Sequence, residues 1–176
     1  MSTLSAIFSN NSSSSAIIIP GGPTLSYPEL FHQVQLFQRQ ITDLYELRVQ
    51  DVVAIVLPNS LEFTVSFLAV TLLRNVAAPL NPNYTENEFK FYFEDSKSKA
   101  VIVPKGWSQQ NKAAVKAANA FGVSVTEAAW DNSRGQIVLN APSGSNHRGK
   151  YKEQEPNPGD VALLLHTSGT TGRPKG

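Results

Sequence analysis

Short, continuous apolar runs alternate along the chain with longer stretches in which apolar residues recur every three or four positions. A continuous run is typical of a strand buried on both faces, and the longer spacing is typical of an amphipathic helix. The predicted strands are 51–57, 76–80, 100–104 and 123–126. The predicted helices between them are 61–74, 108–121 and one that contains 89–93. The last of these is expected to begin at Thr85, because Thr85 and Glu88 have the spacing of a capping box. This alternation predicts an α/β fold with a doubly wound, mostly parallel sheet.

A hairpin and a long helix are predicted in front of this alternation. Two glycines and a proline at 21–23 separate the apolar segment 16–20 from Thr24–Leu25, which predicts the hairpin. Ser26 and Glu29 have the spacing of a capping box, so a helix is expected from there to about Leu47. Residues 1–15 contain a low-complexity serine and asparagine tract and are predicted to be mobile.

The alternation breaks over residues 131–159, which are predicted to be linker-like. Turn-forming clusters occur here at 143–146 and 156–159. A short strand is expected at Ile137–Leu139, and the last strand of the chain is expected at Asp160–Leu165.

This last predicted strand leads directly into TSGTTGRPKG at residues 167–176. Its glycines let backbone N–H groups approach an anion closely and form a nest of donors. Four hydroxyl groups add further donors, and Lys175 adds a positive charge. The segment therefore suits a triphosphate.

Two other interpretations of this segment are weaker. A Walker A loop needs a second glycine after four intervening residues from Gly169 and a hydroxyl residue after the lysine, but this chain has Pro174 and Gly176 at these positions. A flexible surface loop stays open, because glycine, threonine and proline are common in turns. The density of glycines and hydroxyl groups directly after an apolar strand favours phosphate binding.

TSGTTGRPKG closely resembles the signature loop of the acyl-adenylate-forming superfamily, which includes acyl-CoA synthetases, luciferases and the adenylation domains of peptide synthetases. Every motif position matches from Thr167 to Lys175. The resemblance implies that the loop holds the β- and γ-phosphates of ATP while a carboxylate attacks the α-phosphate. By resemblance, the residues in these roles are Thr167, Ser168, Gly169, Thr170, Thr171, Gly172 and Lys175.

Three longer segments resemble the oxalate–CoA ligases of plants and fungi, whose fungal member is called peroxisomal-coenzyme A synthetase. They begin DVVAIVLPNS at 51, AAPLNPNYTE at 77 and DVALLLHTSG at 160. The resemblance implies that residues 16–176 are the N-terminal subdomain of an AMP-binding domain, truncated at the phosphate loop. It also implies ATP, Mg²⁺ and CoA as cofactors of the complete enzyme and an oxalate-like acid as substrate. Fatty acids and hydroxycinnamates stay open.

Composition and charge narrow the possible partners, metal sites and cellular locations of the protein. The net charge of +1 offers no electrostatic argument for a nucleic-acid partner. The chain has no cysteine, and its three histidines show no metal spacing, so no metal ligand is predicted. The longest apolar stretch, 63–73, is too short to span a membrane. The first basic residue is Arg39, so no N-terminal signal is expected. A cytosolic or peroxisomal location is expected, with any C-terminal signal outside this chain.

Three further features have interpretations of their own. A histidine at a strand end, such as His166, is more often a hydrogen-bonded structural residue than a contact to nucleotide. Arg173 occupies the variable position of the motif and is expected to face solvent. Five aromatic residues within 84–93 are expected to form core rather than a nucleic-acid platform.

The resemblance places the acyl pocket and a small C-terminal domain with its catalytic lysine beyond Gly176. No catalytic residue is therefore assigned within this chain. One alternative is a natural truncation that acts as a non-catalytic binding module for a full-length ligase. A further alternative is an unrelated phosphate-binding protein.

We expect the 176-residue chain alone to show no adenylation activity and at most weak ATP binding. The reason is that a loop lacking half of its walls is not preorganised for a ligand. The measurement is ATP–pyrophosphate exchange, with Lys175→Ala as the background control. Exchange above that background, or micromolar ATP affinity by calorimetry, would contradict the expectation.

Overall fold

The computed structural model describes residues 3–8, 13–141, 151 and 154–166. The strands in this part of the chain are β1 (Ser15–Ile18), β2 (Thr24–Ser26), β3 (Val52–Ile55), β4 (Val76–Pro79), β5 (Ala100–Pro104), β6 (Ser124–Asp131) and β7 (Gln136–Asn140). The helices are α1 (Tyr27–Leu44), α2 (Leu61–Leu72), α3 (Glu86–Ser96), α4 (Ala113–Phe121) and a 3-10 helix at Leu4–Phe8.

A five-stranded sheet forms the centre of the described fold, with the strand order β4-β3-β5-β6-β7. Its first four strands are parallel, and β7 pairs antiparallel with β6. The first two strands of the chain form a separate antiparallel hairpin. The predicted α/β class, the mostly parallel sheet and the N-terminal hairpin are therefore confirmed.

Apolar side chains cover the sheet on both faces. In β3, Val53 and Ile55 belong to the hydrophobic cluster that includes residues of α1 and α2. Ala54 and the following Val56 belong to the cluster that includes residues of α3 and α4. Successive side chains of a strand point to opposite faces, so a strand between two helical layers must be apolar at every position. This explains the continuous apolar runs of the sequence.

Both predicted capping boxes are present. Ser26 donates its backbone N–H to the Glu29 carboxylate at 2.8 Å, and Thr85 does the same to Glu88 at 2.7 Å. These backbone hydrogen bonds hold the pKa of each glutamate below its usual range. Two helices end earlier than predicted. Helix α1 ends at Leu44 and not at about Leu47, and α2 ends at Leu72 and not at 74.

The predicted start of the helix at 108 was wrong, since α4 begins at Ala113. Its N-terminal flanking residue, Lys112, makes no side-chain capping bond, so no local signal marks the start. The turn before it is held by Glu127 of β6, which accepts the N–H groups of Gly106 and Ser108 at 2.8 Å each. Burial raises the pKa of Glu127, but these hydrogen bonds and nearby Lys105 outweigh it, so the pKa lies below its usual range.

The segment predicted to be linker-like contributes to the sheet. Its first residue, Asp131, ends β6, and the short strand expected at Ile137–Leu139 is present as β7, one residue longer at each end. Residues 131–140 are therefore part of the fold rather than of a linker. Within the N-terminal segment predicted to be mobile, Phe8 of the 3-10 helix lies against Phe31 of α1, with 4.8 Å between ring centroids.

The outer edge of β7 is covered by a side chain of α1. The Gln40 carboxamide donates to the Ile137 carbonyl at 2.9 Å and accepts the Leu139 N–H at 2.8 Å. Gln33 of the same helix donates to the Gly135 carbonyl at 2.8 Å. Gln40 thus replaces a neighbouring strand at a position where an uncovered edge would invite pairing with another chain.

None of the helices in the described ranges combines the length and the apolar character needed to cross a bilayer.

We expect Gln40→Ala to lower the free energy of unfolding by about 1–3 kcal/mol, because it leaves two backbone groups of β7 without their partner. Uncovering this edge should also increase self-association. Urea unfolding and sedimentation measure the two effects. Gln35→Ala on the same helix is the matched control, and identical behaviour of the two variants would contradict the assigned role of Gln40.

Candidate functional site

Residues 160–166 lead into the segment that carries the candidate chemistry, and we call them the loop root. The structure describes the whole of the root. The predicted phosphate-binding residues follow it and lie outside the described residues: Thr167, Ser168, Gly169, Thr170, Thr171, Gly172 and Lys175. Their assignment stays a prediction, and Arg173 lies outside the described residues as well.

The loop root runs parallel to β4, an edge strand of the five-stranded sheet. Ala77 of β4 donates its N–H to the Ala162 carbonyl at 3.0 Å and accepts the Leu164 N–H at 2.9 Å. These bonds form a parallel bridge between Ala77 and Leu163. The root therefore leaves the sheet at the carboxyl ends of its parallel strands, which is where sheets of this type bind ligands.

The predicted strand 160–165 is present only as this single bridge. The exposed fractions of Val161, Leu163 and Leu165 are 53%, 41% and 57%. A continuous apolar run predicts burial on both faces, but alternate residues of the root are exposed in the described part of the chain. The apolar pattern therefore predicted an extended backbone correctly, but it overestimated how many residues of the root pair with β4.

A hydrogen-bonded ion pair holds the start of the root. Arg74, two residues after the end of α2, donates through Nε and Nη2 to the two carboxylate oxygens of Asp160 at 2.8 and 3.1 Å. The Arg74 side chain thereby holds the pKa of Asp160 below its usual range, and the same contact raises the pKa of Arg74. Both shifts indicate an ion pair that fixes the position of Asp160.

Gln50 makes a second connection at the same end of the root. Its side-chain oxygen accepts the N–H of Val161 at 2.9 Å, while its backbone N–H donates to the Arg74 carbonyl at 2.8 Å. Gln50 precedes β3, and Arg74 precedes β4. The amino ends of two parallel strands are thus connected to the start of the root.

The other end of the root is held by α3. His166 has a side chain that is only 3% exposed, and its Nε2 lies 2.9 Å from Oδ2 of Asp95. Its ring meets the ring of Tyr92 edge-on, with centroids 4.7 Å apart. Burial, together with the hydrogen bond of the Tyr92 hydroxyl to Tyr84, raises the pKa of Tyr92 to about 12. His166 is therefore hydrogen-bonded, as expected for a histidine at a strand end.

Aromatic side chains form the base beneath His166. Tyr92 stacks on Tyr84 with centroids 5.0 Å apart, and Phe89 stacks on Phe93 at 5.9 Å. Phe89 and Phe93 are fully buried. The expectation that these residues form core is confirmed, and this core supports the end of the root.

The tertiary structure identified partners of the root that sequence reasoning missed. Asp95, Arg74 and Gln50 lie 71, 86 and 111 residues from the root residues they contact. None belongs to a recognisable motif, so no local signal could have found them. Arranged in this way, they can fix where the loop begins and the direction in which it leaves the sheet.

The chain matches the family of AMP-binding enzymes over residues 8–176. It is 40% identical over 200 aligned positions to an oxalate–CoA ligase of Saccharomyces cerevisiae, an alignment that covers 98% of this chain and 37% of that protein. It is 35% identical over 161 positions to an oxalate–CoA ligase of Arabidopsis thaliana, covering 92% of this chain and 31% of that protein.

Among solved structures, the fold is similar to that of ATP-bound MatB from Rhodopseudomonas palustris. The TM-score is 0.72 at 25% identity, and the match covers 94% of this chain and 31% of that one. The chain thus spans only about a third of the length of the relatives it matches.

Asp160→Asn should change how stability depends on pH. Folding lowers the pKa of the Asp160 carboxyl, so its ionised form stabilises the folded protein. This contribution is complete above the pKa of the unfolded state, which is about 4. It is lost as the pH falls through the pKa of the folded state. We therefore expect the variant to be less stable than wild type at pH 7 and to lose less stability between pH 5 and pH 2.

Urea unfolding at a series of pH values measures this difference. Asp43→Asn, an exposed position on α1, is the matched control. Parallel pH curves for wild type and Asp160→Asn would show that the pair with Arg74 does not contribute to stability.

Proposed function

The chain belongs to the family of AMP-binding enzymes, and on that premise we propose that it is the N-terminal part of an ATP-dependent acid–CoA ligase. In the proposed reaction, a carboxylate and ATP give an acyl-adenylate and pyrophosphate, and the acyl group then passes to CoA with release of AMP. The observation that supports this most is the loop TSGTTGRPKG, which follows a root that pairs with the edge strand β4 and leaves the sheet at the carboxyl ends of its parallel strands.

The residues of the loop fit a polyphosphate. Threonine and serine hydroxyl groups can donate to phosphate oxygens, and glycines leave room for backbone N–H donors. Lys175 can neutralise charge that builds up on the departing pyrophosphate. When bound, ATP supplies an activated α-phosphorus and a leaving group, and the loop residues would hold the β- and γ-phosphates in place.

No protein ligand for Mg²⁺ is assigned within this chain. The described residues contain no group of three or more His, Cys, Asp or Glu side chains that could hold a metal ion. Phosphate oxygens are suitable ligands for this hard cation, so the ion would be held chiefly through the nucleotide.

We infer an oxalate-like acid as the substrate, because both curated relatives described above are named oxalate–CoA ligases. Fatty acids and hydroxycinnamates are the competing substrates, and the residues of this chain assign no acyl pocket. A cytosolic or peroxisomal location is part of the same proposal.

We also propose that residues 1–176 are inactive alone. The competing role is a non-catalytic module that binds a full-length ligase. The mass of the native gene product, detected with an antibody against residues 27–140, separates the two. A band several times larger than 19.2 kDa supports the ligase, and a band only near 19.2 kDa supports the module.

For the full gene product, we expect CoA- and ATP-dependent consumption of oxalate, with AMP released. Lys175→Ala should lower kcat by about 10²-fold, since loss of one group that stabilises transition-state charge has an effect of this order. The assay follows AMP and the acyl-CoA by chromatography, with hexanoate and 4-coumarate as competing acids.

Lys112→Ala, an exposed lysine before α4, is the matched control for removal of a positive charge. Equal activity of the two lysine variants would contradict the role of Lys175. Activity with hexanoate or 4-coumarate but not with oxalate would support an acid–CoA ligase and refute oxalate as its substrate. An absence of ATP-dependent turnover with all three acids would count against the ligase itself.

A further inference from the structure

The ring of His166 is fixed by contacts on two sides. Asp95 of α3 holds Nε2 at 2.9 Å, and the Tyr92 ring lies edge-on at 4.7 Å. With only 3% of its side chain exposed, the histidine is almost entirely removed from water. Val161, Leu163 and Leu165 are exposed, so His166 belongs to the alternate set of root residues that faces the protein.

The bond to Asp95 determines which nitrogen of the neutral ring carries the proton. An ionised carboxylate can only accept hydrogen bonds, so Nε2 carries the proton and Nδ1 is left with a lone pair. Nδ1 is buried and has no hydrogen-bond partner among the described residues. A buried acceptor without a partner is costly, and a phenyl ring would cover Tyr92 without that cost. The chemistry therefore indicates a role beyond filling space.

The position of His166 in the chain suggests what that role is. It is the last residue of the root, and Thr167 of the predicted phosphate loop follows it directly. At the other end of the root, Asp160 is held by Arg74 at 2.8 Å. Between them, Ala77 makes both of its backbone hydrogen bonds to the root. A segment held at both ends and in the middle has a defined position and direction.

We propose that Asp95 and His166 form an anchor that sets where the phosphate loop begins, which makes His166 a positioning residue. Asp95 orients the imidazole through Nε2, and Nδ1 is available to one further N–H or O–H donor. The consequence for adenylation rests on the proposed function, whereas the anchoring of the root does not.

The anchor should affect binding of the nucleotide more than the later transfer to CoA. A loop that starts from a fixed point loses less conformational freedom when it closes on a ligand, and so binds it more tightly. Loss of one hydrogen bond of this kind corresponds to about a five- to tenfold change in an equilibrium constant. We expect a change of that size in KM for ATP, with KM for CoA unchanged.

The first test measures amide hydrogen exchange by NMR in the 176-residue chain. The Leu164 N–H, which donates to the Ala77 carbonyl at 2.9 Å, reports whether the root is in place. Its exchange should be about five- to tenfold faster in Asp95→Ala and in His166→Phe. Asp95 has a half-exposed side chain, so its removal should not unfold the domain.

Two further variants distinguish the anchor from simple packing. His166→Gln keeps an amide that can donate to Asp95, and should restore part of the protection of Leu164 that His166→Phe loses. His32→Phe, at an exposed position on α1, should leave Leu164 unchanged. In every variant, the amide of Ile102 in the central strand β5 should exchange as in wild type. Wild-type exchange of Leu164 in both Asp95→Ala and His166→Phe would overturn the proposal.

The second test uses the full gene product and compares KM with kcat. Asp95→Ala and His166→Phe should raise KM for ATP, with His166→Gln intermediate and with unchanged melting temperatures. Unchanged KM for ATP in a fully active enzyme would overturn the positioning role. If wild type does not use ATP at all, the proposed function fails, and the exchange of Leu164 still decides whether the anchor exists.

Discussion

The two hydrogen bonds between Ala77 and the loop root join the folded sheet to the segment that carries the candidate chemistry. Ala77 is fully buried in β4, and its small side chain belongs to the core. Its outward-facing backbone groups are the ones that the root uses. The edge of a parallel sheet thus supports the segment that leads to a loop rich in glycine. Every other contact of the root adds to this pairing.

The two edges of the central sheet are protected in different ways. At β4 the backbone of the root pairs with the strand, and at β7 the carboxamide of Gln40 takes the place of a strand. Unpaired edge groups are available to other chains, so a stable sheet needs some cover at each edge. At β4, the cover is also the path to the candidate phosphate site. Protection of the fold and placement of the site therefore depend on the same residues.

Two side-chain pairs have a positioning role around the root. An exposed ion pair usually contributes little to stability. The pairs of Asp160 with Arg74 and of His166 with Asp95 lie at the two ends of one short segment, where they limit its movement along and away from the sheet. A loop that follows a segment of defined position is better prepared to receive a ligand than one that follows a mobile segment. The two side-chain pairs therefore act by positioning the root.

Local patterns in the sequence determined most of the fold and the family. Continuous apolar runs predicted the strands, the Ser26–Glu29 and Thr85–Glu88 pairs marked two helix starts, and TSGTTGRPKG indicated the chemistry. Each of these signals lies within about ten neighbouring residues, where backbone preference and side-chain spacing are readable directly.

Only the tertiary structure decided the late start of α4, the single bridge of the root, the cover of β7 by Gln40 and the pairing of Asp95 with His166. The partners in the last two contacts are 99 and 71 residues apart. No local sequence pattern around a glutamine or an aspartate indicates a distant partner. A side-chain hydrogen bond depends on where folding brings the two groups, and not on their neighbours in sequence.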